Sequence, residues 1–382
     1  MIALEVVFWV CAALIVWTQV GYAAILAVLA RVFGHAQPIA APEPPPPPLS
    51  LIVAAHDEES VIGARIANAR ALDYPRDLLE VIVACDGCTD ATAARARDAG
   101  ADVVLELARG GKIRAQDAAV QRARGDVVAF SDANALWEPD AARMLVGAFA
   151  DPRVGYACGQ VRFVQAATGA EGGNQEGVYW CYELAVRSYE SRLSSITAGN
   201  GAIYATRRDA YIVVDPIMGH DLSLPFNMVR RGLRAVYVPA ARATEKMVPS
   251  LLGEFARKRR MMSHTWPILV RGGMLSPRGY PPGYALMIVS HRLLRYLTPF
   301  LHLLALAANI ALVAGGAGAL YAVTLALQLA LLLGALLGGA LRIRPLLLAR
   351  YYVLTTASPA AGLWDWLRHG TEATWEAAEG TR

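Results

Sequence analysis

Hydrophobic positions form long unbroken blocks near both ends of the chain, and short runs alternating with polar stretches between them. Residues 6–30 are 25 positions without a formal charge. At about 1.5 Å per residue they make roughly 37 Å of helix, enough for a hydrocarbon core of about 30 Å. The block follows the acidic Glu5 and exceeds the apolar core of a signal peptide, so it predicts a retained membrane helix. Residues 297–341 contain no Asp, Glu, Lys or Arg, and Gly315, Gly316 and Gly318 sit near their middle. Such a block would make about 68 Å of helix, which suits two crossings joined by a glycine turn. A buried helical hairpin of a soluble domain is the alternative. Residues 346–363 are apolar but interrupted by Arg350 and Pro359. A third crossing, a re-entrant piece and an interfacial helix all stay open there.

Between these zones the period changes. Residues 42–48 are nearly all proline and predict an extended spacer. Short apolar runs follow at 49–55, 79–85, 103–107 and 126–130, separated by helical stretches at 59–71, 90–99 and 113–124. Strands alternating with helices predict an α/β domain with a mostly parallel sheet. The resulting division is a membrane helix over 1–33, a Pro-rich linker over 34–48 and the α/β domain over 49–270. An interfacial segment over 271–296, a C-terminal membrane region of two or three helices over 297–367 and a tail over 368–382 complete it.

Composition sharpens this picture. The 382 residues are 55% hydrophobic and 18% charged, with a mean hydropathy of +0.35. That excludes a disordered chain, and the net charge of +4 excludes a nucleic-acid binder driven by a basic field. Arg31, Arg292, Arg295, Arg342 and Arg344 flank the membrane blocks, which by the positive-inside rule predicts an integral protein of the cell membrane with a cytoplasmic middle domain. Five scattered cysteines, Cys11, Cys85, Cys88, Cys158 and Cys181, do not form a disulfide framework. Cys85 and Cys88 have CxxC spacing, but no second pair accompanies them, and they read as neighbours at a strand end.

Ligands of parallel sheets gather at the carboxyl ends of the strands. The residues there are Ala55-His56-Asp57-Glu58, Asp86-Gly87-Cys88-Thr89-Asp90 and Ser131-Asp132-Ala133-Asn134. Asp86-Gly87 has a turn as its plain reading. Asp132 and Asn134 offer two oxygen-bearing side chains to a hard divalent cation. Lys112, behind Gly110-Gly111 at a helix start, offers a cation and backbone N–H groups to a diphosphate. No Walker or GxGxxG pattern occurs, which weakens kinase and dehydrogenase readings. Downstream, Gly199-Asn200-Gly201 would let a ligand approach the backbone. His220-Asp221 opens a helical stretch, where Asp221 also suits a cap. The basic run at 257–260 could touch lipid headgroups or clamp a diphosphate.

This order of features resembles the membrane-bound family 2 glycosyltransferases, inverting enzymes of the GT-A fold. The resemblance covers about residues 48–266, and the flanking helices match the membrane-bound branch. It implies that Ala55, His56 and Glu58 line the nucleotide and that Asp86 binds base or ribose. Asp132 falls on the first position of the DxD metal motif, which implies Mg²⁺ or Mn²⁺ at Asp132 and Asn134. Lys112, Arg257 and Arg260 join the nucleotide-sugar set, the last two through the Q/RxxRW motif. Gly199, Asn200, Gly201 and His220 fall on the acceptor side. Asp221 matches the catalytic base. Asn134 departs from the second Asp of DxD, His220 from the acidic residue before the base, and Met261 from the Trp of RxxRW.

The implied reaction is an in-line displacement in which Asp221 deprotonates an acceptor hydroxyl that attacks a UDP- or GDP-sugar. The membrane helices imply a lipid-linked glycan or a glycolipid as acceptor, and no nucleic-acid partner. The alternatives are a processive polysaccharide synthase, a non-catalytic nucleotide-sugar-binding membrane protein and, third, a nucleotidyltransferase. Aromatics Tyr179, Trp180, Tyr182 and Tyr189 stand in the apparent acceptor region, where packing is an equal reading.

Overall fold

The computed structural model describes residues 1–35, 46–164, 173–246, 251–341 and 343–374, with side chains from 180 onward in the third stretch. Most of the Pro-rich linker, Arg342, the Tyr179 side chain and the end of the tail lie outside them.

Helix α1, Ile2–Val32, runs as one rod with a single π-helical turn at Trp17–Gly21. The middle of the chain folds into an eight-stranded sheet: β1 Leu49–Ala55, β2 Leu79–Asp86, β3 Val103–Leu107, β4 Val127–Asp132, β5 Leu136–Trp137, β6 Val154–Val164, β7 Tyr204–Arg207 and β8 Arg234–Lys246. Their spatial order is β3-β2-β1-β4-β7-β6-β8-β5. The first four in that order are parallel, β7 is antiparallel to both its neighbours, and β6 pairs parallel with β8. The alternation read in the sequence therefore yields a mostly parallel α/β sheet.

The runs are apolar throughout because both faces of the sheet are covered. Leu51, Val53 and Ala55 face one layer with α2, Ile62–Arg70, and α3, Thr92–Asp98. Ile52, Ile82 and Phe130 face the other with α4, Lys112–Arg122. Two further helices of the domain flank β6 in the chain, α5 Ala141–Gly147 and α6 Gly173–Leu193. Chain order reverses between β1 and β4, so a crevice opens at their carboxyl ends. The register aligns Ala54 with Asp132 and Ala55 with Cys85, which brings the three predicted strand-end loops to that one edge.

Helices α7, His220–Arg230, and α8, Leu251–Val270, lead toward the apolar end. There α9, Pro282–Ala314, and α10, Ala319–Leu341, join α1 as the three described helices long and apolar enough to cross a membrane. A turn with positive φ at Gly316 and Gly318 separates α9 from α10, where only glycine accepts that backbone without strain. The helix of α9 begins at Pro282, so the second half of the segment read as interfacial continues into the span. Helix α11, Arg344–His369, is continuous through Pro359 and packs against α8 and α10. Phe8, Cys11, Leu301, Ala305 and Leu312 zip α1 to α9, while Leu327, Leu336 and other α10 side chains face outward. A second apolar cluster, with Tyr22, Phe226, Trp266, Tyr284 and Tyr296, fastens the helices to the α/β domain.

Candidate active site

The site is assembled from strand ends. After β1, the His56 Nδ1–H donates to the Asp86 carbonyl at 2.8 Å. Asp57 is left-handed at φ 51°, a conformation aspartate tolerates, and its carboxylate accepts the Thr89 N–H at 2.7 Å. The Glu58 N–H donates to Thr92 Oγ1 at 2.8 Å. These bonds latch the first two loops together. Cys88 joins them: its Sγ lies 3.5 Å from the Ala55 carbonyl, and its thiol is lowered to about 7, chiefly by a hydrogen bond with Cys85. Ligand atoms of His56, Asp57 and Cys88 fall within 4.8 Å of one another.

Asp86 is 1% exposed, and both its oxygens are engaged. Oδ1 accepts the Gly110 N–H at 2.7 Å and Oδ2 the Gly111 N–H at 3.0 Å, with the Arg109 guanidinium 3.6 Å away. The carboxylate thus shapes the loop that carries Lys112. Gly111 has φ 97°, and a β-carbon there would come within 2.1 Å of the Ala373 carbonyl oxygen. The tail after α11 therefore lies directly on this loop, held also by the Thr371 hydroxyl donating to the Ser263 carbonyl at 2.8 Å.

At the end of β4 the Lys112 ammonium is hydrogen-bonded to Asp132. Burial alone would lower its pKa, but the charges of Asp132, Asp221 and Glu245 outweigh burial and raise it. Glu245, near the end of β8, did not stand out in the sequence, where only a Thr-Glu-Lys ending marks the strand. Its carboxyl is pushed up to about 7, first by burial and then by Asp132, against Lys112 and Arg257. Its Oε1 is buried without a hydrogen-bond partner. Asn134 is half-buried in the turn just after Asp132. Asp132, Asn134 and Glu245 are oxygen donors of the kind hard divalent cations take, and the orphaned Oε1 fits such an ion.

Asp221 lies in the first turn of α7 behind Gly219, where a β-carbon would fall 2.7 Å from its Oδ1. Its carbonyl accepts the Gly199 N–H at 2.7 Å. Asn200 secures the same loop, donating to the Gly159 carbonyl at 2.6 Å and accepting the Ile203 N–H at 2.9 Å. Gly201 faces the Lys112 ammonium, and a β-carbon on Gly199 would strike the Tyr156 hydroxyl at 2.0 Å. His220 is 2% exposed and points away, between two tyrosines. Tyr211 gives its proton to Asp117 at 2.6 Å, so it accepts from His220 Nε2 at 3.2 Å, and Nδ1 accepts from Tyr204 at 2.9 Å. Burial, then Lys112, lower the imidazole to about 3. It is a neutral packing group beneath Asp221.

Asp221 and Gly199 border a cavity of about 510 Å³ that reaches down to α9 and α11. Arg257 lines it, held bidentately by Glu254 at 2.8 Å and 2.8 Å. Met261 and Trp180 line it as well, and Trp180 packs on Phe163 with ring centres 5.1 Å apart. Tyr182 instead donates to the Thr18 carbonyl at 3.2 Å, on α1. Arg260 is exposed, away from the lining, and Arg259 pairs with Asp365. Arg292 and Arg295, read in the sequence as flanking charges, turn into the protein: Arg295 bonds Glu183, and Arg292 donates to Thr197 Oγ1 at 2.8 Å.

Residues 45–263 match the family described as "Glycosyltransferase like family 2". A β-monoglucosyldiacylglycerol synthase of Synechocystis sp. is 31% identical over 215 residues, which is 51% of this chain and 42% of the relative. An N-acetylglucosaminyltransferase of Rhizobium sp. is 27% identical over 170 residues, 41% of this chain and 38% of the relative. The matches thus span less than half the length of these curated relatives. Among solved structures, the mannosyltransferase PcManGT from Pyrobaculum calidifontis, in complex with GDP-Man and Mn²⁺, superposes with a TM-score of 0.74 at 24% identity. That superposition covers 96% of this chain and 99% of the other, including the helices at both ends.

Proposed function

The chain belongs to glycosyltransferase family 2, with a GT-A fold flanked by helices able to cross a membrane, and from that premise we propose that it moves a sugar from a nucleoside-diphosphate donor to a lipid-borne acceptor at the membrane surface. One observation carries the reading. Asp221 stands between the Lys112–Asp132 cluster at the strand ends and a cavity that continues down to the apolar helices. A donor on the strand ends and an acceptor rising from the bilayer would meet at its carboxylate.

The nucleotide lies along the loops of Ala55, His56, Glu58 and Asp86, with Asp86 presenting the Gly110 and Gly111 backbone rather than reaching for the base first. Asp221 takes the proton of the acceptor hydroxyl, which attacks the anomeric carbon from the face opposite the leaving group. Such a base contributes typically 10²–10⁴-fold. Lys112 and Arg257 balance the charge that gathers on the departing diphosphate. Asp132, Asn134 and Glu245 would hold Mg²⁺ or Mn²⁺, whose chemistry is to neutralise diphosphate oxygens as the bond to the sugar breaks. The Mn²⁺ and GDP-Man named for the Pyrobaculum structure agree with a donor and ion of this class. The glycolipid in the name of the Synechocystis relative agrees with a lipid acceptor. The catalytic domain faces the cytoplasm, on the side marked by Arg31 and Arg344.

The deciding experiment measures nucleoside diphosphate release by the full chain in lipid, across UDP- and GDP-sugars with Mn²⁺ or Mg²⁺ and a membrane lipid extract. Release that requires metal and lipid, and is lost in Asp221→Asn with nucleotide binding intact, is the expected result. Nucleotide binding without release under any combination would favour a non-catalytic role.

A further inference from the structure

The mechanism makes no use of Cys85 and Cys88, the CxxC pair at the end of β2. Both are free thiols. Cys85, the penultimate residue of the strand, points into the apolar layer beneath α2 and α3 and is 1% exposed. Gly87, at φ 62°, then turns the chain back. Cys88 lands half-buried at the border of that same layer. Its Sγ lies 3.5 Å from the carbonyl of Ala55, the residue beside Cys85 in the neighbouring strand. A hydrogen bond joins the two sulfurs.

The two thiols are not equivalent. The hydrogen bond from Cys85, with the Asp57 N–H and the Thr92 hydroxyl behind it, outweighs burial and the charge of Asp90 and lowers Cys88 to about 7. The same bond, reinforced by burial, pushes Cys85 up. Cys158, deep in the sheet, is pushed up to about 11 by burial. A partly accessible sulfur that ionises readily, beside a second one hidden from solvent, is the arrangement of an attacking and a resolving thiol.

We infer that Cys85 and Cys88 form a reversible disulfide that loosens the donor-side loops. The oxidant is a small-molecule disulfide such as that of glutathione. The Cys88 thiolate attacks one of its sulfurs and expels a glutathione thiolate, which leaves Cys88 in a mixed disulfide. Cys85 gives up its proton, attacks Cys88 Sγ and expels the second glutathione thiolate. Two protein thiols and one small disulfide become one protein disulfide and two small thiols, the departing thiolates taking up the two protons. Excess thiol runs the exchange backwards. Only Asp86 and Gly87 lie between the two cysteines, so closure is felt at the site. Cys88 Sγ must leave the Ala55 carbonyl and come within about 2 Å of Cys85 Sγ. Asp86 moves with that ring, although its carbonyl holds His56 and its carboxylate holds the N–H groups of Gly110 and Gly111. Oxidation therefore weakens the latch on the loop of Lys112. The link to sugar transfer rests on the proposed donor site; the disulfide and the release of the loop do not.

The test places the full chain, in detergent, in buffers of graded reduced-to-oxidised glutathione ratio, then quenches with acid and alkylates. Trypsin leaves both cysteines on one peptide, residues 77–95. That peptide is expected to lose two hydrogens and both alkylation sites as the oxidised share rises, and to recover them with excess thiol. Cys85→Ala is expected to stop at the glutathione adduct on Cys88. In the oxidised parent, hydrogen exchange across residues 108–114 should quicken. Nucleoside diphosphate affinity should fall about threefold to tenfold, the effect of a lost hydrogen bond or two. Cys88→Ser should show no response to oxidation, whatever its own starting affinity. Full alkylation of both cysteines at every ratio overturns the inference, as does an adduct-free Cys85→Ala chain. So does a disulfide that leaves loop exchange unchanged, or a response that persists in Cys88→Ser. Failure of the reduced chain to bind any nucleoside diphosphate would count against the proposed function alone, because peptide mass and loop exchange still decide the disulfide.

Discussion

The carboxylate of Asp86 accepts the N–H of Gly110 at 2.7 Å across the carboxyl edge of the sheet, and with its other oxygen it takes Gly111. A side chain on one strand end thereby fixes the loop that feeds Lys112 toward another strand end. Fixing this loop and binding a base directly predict different losses, and the difference is measurable. Asp86→Asn replaces one acceptor by a donor facing backbone N–H groups. Hydrogen bonds to a charged group contribute about 1.5–3 kcal/mol, so a loss of that order is expected in unfolding measurements. Nucleotide affinity should fall with it for purine and pyrimidine diphosphates alike. A loss confined to one base would mark base recognition instead.

Asp221→Asn should lower kcat by about 10²–10⁴-fold, the ordinary contribution of a general base, with little change in donor binding. Single-turnover release of nucleoside diphosphate, beside an equilibrium titration with the nucleotide, separates the two effects. A parallel fall in binding would mean that the carboxylate serves the donor site.

Glu245→Gln should weaken Mn²⁺ or Mg²⁺ binding while preserving the fold, because the amide keeps the size of the side chain and removes an anionic oxygen. Calorimetric titration of the metal in the presence of nucleoside diphosphate reads this directly. Unchanged affinity would restrict the ion to the turn of Asp132 and Asn134.

His220 contributes to acid sensitivity, and its sign follows from linkage. Its folded pKa is lowered to about 3 from 6.5, first by burial and then by Lys112. The unfolded chain therefore binds a proton that the folded chain refuses between those values. The stabilisation is complete above about pH 6.5 and declines as the pH falls toward about 3. Unfolding midpoints of the parent should drop over that range, and His220→Gln should flatten the slope. An unchanged slope would assign the acid loss to other groups.

Gly199→Ala should cripple turnover, since its β-carbon would meet the Tyr156 hydroxyl at 2.0 Å and displace the backbone bonded to Asp221 and Arg187. The Tyr156 hydroxyl is buried and makes no hydrogen bond. Gly199→Ala combined with Tyr156→Phe should therefore recover part of the activity, a non-additive pair of the kind expected for residues in contact. Strict additivity would show that avoiding the Tyr156 hydroxyl is not what the glycine is needed for.

The sequence by itself determined the fold class and the layout of chemistry along the strand ends. Apolar runs of strand length fix which segments lie inside the sheet, and in a parallel sheet the residue after each run must emerge at the same edge. His56, Asp86 and Asp132 were legible for that reason, and Asp221 through its motif. The long uncharged blocks likewise announced helices able to cross a membrane. Tertiary structure alone decided the rest. Glu245 joins Asp132 because β8 returns across the sheet, a pairing no local pattern encodes. His220 turns its ring into the tyrosine layer while its neighbour Asp221 faces the cavity, since adjacent residues of a helix point about 100° apart. Arg187 and Arg292 lie 105 positions apart in the chain, yet the first bonds the Gly199 carbonyl from α6 and the second the Thr197 hydroxyl from α9. Periodicity records which face of an element is buried; it does not record what that face will be buried against.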